Sequence, residues 1–167
     1  MSTTERDATS DELKALGHPL RWRILRVTLD HPLTNKEIAA RLGRDPGTTL
    51  HHVRVLADAG FLAPERVRAG ARGALERPYR NTGKSWRIRL APRADNTVAI
   101  LDAAREEILE AGPDAAISTL RLAVNLKAAD LEELSRRISD LGDEFAGRGD
   151  PDGQPLGIVA LVHRRRP

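Results

Sequence analysis

TNKEIAARLGRDPGTTLHHVRVLADAGF, residues Thr34–Phe61, is the stretch around which the chain is organised. Thr34 with Glu37 three residues later forms a capping box, so a helix starts here with Ile38, Ala39 and Leu42 facing inward. Gly43 suits the end of that helix. Asp45 can cap a second helix, and Pro46 fits its first helical position. Thr49, Val53 and Leu56 then recur at helical spacing and make a buried stripe. At about 100° per residue, Gly47, His51 and Arg54 point the opposite way, flanked by Thr48 and Leu50. A short helix with a small, polar and basic outer face, packed on a preceding helix, has the form of a helix-turn-helix recognition helix. That form implies duplex DNA as the ligand.

Working outward, Ser10 caps a short helix through Leu16, after a polar start over Met1–Thr9 that carries no pattern and is expected to be disordered. Pro19 opens a second helix to about Leu29, with Leu20, Ile24 and Val27 on one side. Leu33 can form a strand of one or two residues. Beyond Gly60, Phe61-Leu62 and Arg66–Arg68 read as an outgoing strand, Ala69–Gly73 as a Gly-rich tip, and Glu76–Thr82 as the return. This hairpin stands where a winged helix-turn-helix carries its wing. Trp86, Ile88 and Leu90 alternate with period two and are expected on the core as a further short strand.

Ala91-Pro92-Arg93 reads as a boundary, dividing the chain into residues 1–92 and a rear domain, 93–167. Asn96–Ala111 is a helix with Ile100, Leu101, Ala104 and Ile108 on one side. Leu120–Lys127 alternates like a half-buried strand. Asp130 begins another helix, whose Leu131, Leu134, Ile138, Leu141 and Phe145 form a narrow apolar seam. Leu156–Val162 is short and continuously apolar, as in a buried strand. The class is therefore α+β, a winged helix-turn-helix followed by a helix-strand-helix-strand region. Two strands make a marginal sheet in water, and a DNA reader usually needs a two-fold partner to cover two half-sites. A homodimer formed through the rear region satisfies both, with Asn96–Ala111 the better interface candidate and the Leu131–Phe145 seam the cover for the strands.

Charge supports this division. Residues 1–92 carry 17 Lys and Arg against 10 Asp and Glu, whereas residues 93–167 carry 10 against 14. Arg66–Arg93 holds nine basic residues and one acid, Glu76, which points to a polyanion at the front half. The chain has no cysteine, which excludes disulfides and thiolate chemistry and suits a reducing cytoplasm. No run approaches the roughly 18 apolar residues of a membrane span. Neither a Gly-rich phosphate loop nor paired catalytic chemistry is present, so no enzyme and no cofactor are expected. The His51-His52 pair is a poor metal site, because neighbours on a helix diverge by about 100°.

Several segments resemble the ArsR-like winged-helix regulators. These are Leu16–Leu25 (LGHPLRWRIL), Asn35–Gly43 (NKEIAARLG) and Thr49–Phe61 (TLHHVRVLADAGF), within a likeness covering roughly residues 12–90. The resemblance implies sequence-specific binding of duplex DNA by a dimer, and transcriptional control. Metal sensors of that family carry cysteines in the first helix of the motif, or His and acidic pairs in the C-terminal helix. Here Asn35–Leu42 has no cysteine, and the helix after Arg93 offers Asp102, Glu106, Glu107 and Glu110 but no histidine, so no metal is expected. The candidate DNA contacts are Thr34, Arg44, Gly47, Thr48, Leu50, His51, Arg54, Arg68 and Arg72. Gly47 admits close backbone approach, while Thr48 and His51 can reach bases or phosphates. Arg44 and Arg54 suit phosphates, and Arg68 and Arg72 on the wing suit a minor groove or its phosphates. Leu50 can touch a thymine methyl or pack on a neighbouring helix. Two other readings fit the sequence less well: a winged-helix protein-interaction module, and a rear domain that senses a small-molecule effector and uses the winged helix as an address.

Overall fold

Helix α1 (Ser10–Leu16) starts at a capping box made by Thr9 and Glu12. The structure, a computed structural model, describes residues 6–70, 74–90, 94–150 and 152–165. Pro19 at the first position and the His18 ring as N-cap open α2 (Pro19–Val27), which ends two residues before the sequence pattern does. Strand β2 (Leu33–Thr34) leads into α3 (Asn35–Arg41), with the expected Thr34–Glu37 capping box in place. Gly43 takes a φ of 59°, a left-handed turn open to glycine, and α4 (Pro46–Asp58) follows from an Asp45 cap.

The wing is β3 (Leu62–Pro64), β4 (Arg68–Ala69), β5 (Leu75–Glu76) and β6 (Pro78–Asn81). Strand β6 lies between β2 and β3, antiparallel to both, and β4 pairs with β5 nearer the tip. This half has a filled core: Leu16, Ile24, Ile38, Val53, Leu56, Phe61 and Leu62 are buried against one another.

Two expectations at its edge need correction. Arg6–Asp7, read as part of a disordered start, forms β1 and pairs in parallel with β7 (Ile88–Arg89). Its anchor is Glu12, a buried carboxylate held far below its ordinary range by the Arg6 guanidinium and then by Lys84. Trp86 is exposed instead of lying on the core, because Lys84–Trp86 winds as a 3-10 turn that breaks the alternation before Ile88.

Two compact units result, Met1–Gly112 and Pro113–Pro167. Helix α5 (Ala94–Ala111) packs on α2 and belongs to the first, so this unit extends beyond the boundary read at Ala91–Arg93. Helix α5 turns Asn96, Ala99 and Ala103 inward, and Glu106 and Glu110 continue the same stripe; of the apolar side read from the sequence, Ile100 and Ala104 are half-buried and Leu101 and Ile108 exposed.

The second unit contains α6 (Ala128–Ala146), on which Leu134 and Ile138 are half-buried and Leu131, Leu141 and Phe145 exposed. Leu120–Lys127 and Leu156–Val162 are not strands here. Alternation chooses which face a strand shows, but the strand itself exists only by pairing its N–H and C=O groups with a neighbour. Among the described residues neither segment has that pairing. Leu120 is 88% and Ile158 80% exposed. Asn125 Oδ1 accepts a hydrogen bond from Arg165 at 3.1 Å, a link between the first segment and the chain's end.

Candidate nucleic-acid interface

Helix α4 is oriented by its first turn and its buried stripe. Asp45 accepts the Thr48 N–H at 2.8 Å, and the Thr49 hydroxyl donates back to the Asp45 carbonyl at 2.8 Å. A Cβ at residue 47 would lie 3.0 Å from the capping Asp45 Oδ2, so glycine also leaves room for the cap. Thr49, Val53 and Leu56 are buried, as their spacing predicts. Gly47, Thr48, His51 and Arg54 are consequently exposed along one side, with Leu50 half-buried beside them. The backbone thus brings four candidate contacts onto one accessible edge.

The other candidates divide. Thr34 is 4% exposed and its hydroxyl caps α3, so its side chain lies off the accessible face. Arg44, in the turn before α4, is exposed and pairs with Glu106 of α5 at 3.5 Å. Arg68 on the wing donates to Glu37 Oε1 at 2.7 Å, while the other oxygen of Glu37 accepts the Thr34 N–H. One carboxylate therefore caps α3 and ties the wing to it. Arg72 lies outside the described residues.

Behind the exposed edge of α4 is a histidine cluster. His52 is buried, and its Nδ1 accepts from Arg21 Nε at 3.1 Å. Arg21 also donates to the carbonyls of Lys14 and Ala15, so one side chain joins the end of α1 to α4. The His18 ring lies 4.5 Å from that of His52, and the His51 ring meets His52 edge-on at 5.3 Å. Burial, then the proximity of His18, Arg21 and His51, pushes His52 down to about 4 and holds it neutral. Accepting at Nδ1 places its proton on Nε2. Helical spacing brings His52 next to the buried stripe, and the burial is more complete than that spacing alone indicates.

Sequence reasoning missed the residues that hold α5. Arg23, 2% exposed, donates from Nη1 to Glu106 Oε2 at 2.5 Å and from Nη2 to Glu110. Arg23 alone of the three arginines of α2 falls at helical spacing between Leu20 and Val27, on the apolar side, and that position, opposite acids spaced i and i+4, was the available signal. Glu107, beside them, has its carboxyl raised by burial.

Residues 16–65 match the family model of a helix-turn-helix domain. No curated protein matches the chain closely enough to count as a relative. The matched region runs from the end of α1 to just past β3 and contains the whole exposed edge of α4. It supports a DNA-binding regulator. No helix among the described residues is long and apolar enough to cross a membrane.

Proposed function

We propose that this chain is an ArsR-like, cytoplasmic winged-helix transcriptional regulator, a repressor that acts as a homodimer on double-stranded DNA. The observation that carries the reading is the edge of α4, where Gly47, Thr48, His51 and Arg54 are exposed together above a fully buried Thr49, Val53 and Leu56. Such an edge fits a major groove. In this reading Thr48 and His51 reach base edges and Leu50 borders them, while Arg54, Arg44, Arg68 and Arg72 hold phosphates.

Two features support the dimer. Val98, Leu101, Ile108 and Leu109 leave an apolar stripe exposed on α5. The second unit exposes Leu120, Leu122, Ile158 and Leu161 as well, and large exposed apolar side chains of this kind mark interaction surfaces where they cluster.

Binding to genomic duplex fragments over a salt series tests the assignment. Phosphate contacts give a linear fall of log affinity with log salt. His51→Ala is expected to weaken binding to the selected operator by about 1–3 kcal/mol while non-operator affinity stays near wild type. Arg54→Ala is expected to lower both. Salt-independent or absent duplex binding would instead favour the protein-interaction module.

A further inference from the structure

We infer that Glu106 of α5 determines DNA specificity by occupying Arg44 until the recognition helix is seated. This rests on the regulator reading above, in which Arg44 holds a backbone phosphate.

The acceptor is shared. Glu106 Oε2 takes Arg23 Nη1 at 2.5 Å and Arg44 Nη2 at 3.5 Å, while Glu110 takes the second Arg23 nitrogen. The two arginines differ in what they need. Arg23 is buried, and a buried guanidinium without carboxylate partners is costly. Arg44 is 49% exposed at its side chain and loses little in water. The Arg23 contacts are therefore structural and the Arg44 contact is exchangeable.

Its surroundings allow that exchange. Arg44, Glu106, Thr48 and His52 line a cavity of about 250 Å3 between α2, α4 and α5, so the pair is not locked by packing. The cavity borders the first turn of the reading edge. A phosphate arriving beside Thr48 must compete with Glu106 for the same guanidinium, and it meets a carboxylate in doing so.

Specificity follows from that competition. Phosphate attraction is the same on every sequence and supplies nearly all non-specific affinity. A carboxylate that cancels one such contact lowers binding to random DNA in full. On the operator, base contacts hold α4 in place and keep the phosphate beside Arg44 long enough to displace Glu106.

The test compares Glu106→Gln with Glu110→Gln in the full-length chain. Each removes one charge and weakens one partner of Arg23, but only the first releases Arg44. Binding to a random-sequence duplex is measured by fluorescence anisotropy across a salt series, with thermal unfolding as the control for folding. The expected result is a two- to fivefold gain in random-duplex affinity for E106Q, the scale of an exposed ion pair. Its salt slope is expected to steepen by about 0.9, one further phosphate. E110Q is expected to behave as wild type, and the gain of E106Q is expected to vanish in R44A/E106Q. Equal effects from E106Q and E110Q, or a gain that survives in R44A/E106Q, overturn the inference. A wild-type chain with no salt-dependent duplex binding overturns the regulator reading instead.

Discussion

Helices α4 and α5 belong to the same compact unit and both meet α2, yet they present opposite faces to it. Helix α4 buries Thr49, Val53 and Leu56 and exposes polar residues. Helix α5 buries Asn96, Ala99 and Ala103, directs Glu106 and Glu110 at a buried arginine, and exposes Val98, Leu101, Ile108 and Leu109. The difference teaches that apolar periodicity alone does not say which face of a helix the chain's own core covers. On α4 the cover is this chain's own core. On α5 small residues let the helix approach α2, ion pairs fix its azimuth, and the apolar stripe stays exposed.

The largest effect that would break this comparison is truncation of one leucine-sized side chain on each helix. Leu56→Ala removes a fully buried side chain and is expected to cost about 2–5 kcal/mol in urea unfolding. Ile108→Ala, at a position 52% exposed, is expected to stay within about 0.5 kcal/mol when measured at low protein concentration. A loss of several kcal/mol at Ile108 would mean that the outer stripe of α5 is already covered, and at high concentration that loss would report the dimer.

This asymmetry explains what could be read from the sequence. The motif, both of its caps, the hairpin and the exposed edge of α4 were legible because each is fixed by local chemistry: Thr34 with Glu37, Gly43, Asp45-Pro46, and a period-3.6 stripe over α4. The azimuth of α5 was not, because it depends on Arg23, more than 80 residues from Glu106 in sequence. Arg6–Asp7 was missed for the same reason, since a two-residue strand is fixed by its partner at Ile88–Arg89 and by Glu12. In the second unit the apolar alternation of Leu120–Leu126 was clear, but alternation alone cannot supply the neighbouring backbone that makes a strand.

A smaller effect separates the helices by pH. The contact of α4 with α2 passes through His52, which is held neutral by burial and by His18, Arg21 and His51 around it. The unfolded chain takes up this proton near the ordinary value of 6.5, and the folded chain only near 4. Between those values the unfolded state binds more protons, so stability is complete above pH 6.5 and falls as pH drops towards 4. The slope is at most about 1.4 kcal/mol per pH unit for this group. Urea midpoints between pH 7 and 5 measure it, before the carboxylates of Glu12 and Glu37, both held low by their partners, begin to contribute. His52→Gln keeps an acceptor for Arg21 and removes the proton, so its profile is expected to be flatter, with His18 accounting for the remainder. An unchanged slope would mean that the acid sensitivity does not arise from His52.

The smallest effect tests whether α4 is set locally at all. Gly43 holds φ at 59°, and a Cβ there would meet nothing within 4 Å, so substitution carries a backbone cost and no clash. Gly43→Ala is expected to lose about 1 kcal/mol, and Gly43→Asn clearly less, because asparagine tolerates the left-handed region. The same turn fixes the angle at which α4 leaves α3. Operator binding by Gly43→Ala should therefore fall by more than its stability loss accounts for, and asparagine should restore both together. If alanine lowered stability while operator affinity held, the orientation of α4 would be set by its packing through Val53 and Leu56, and the turn would serve only to join two helices placed by the core.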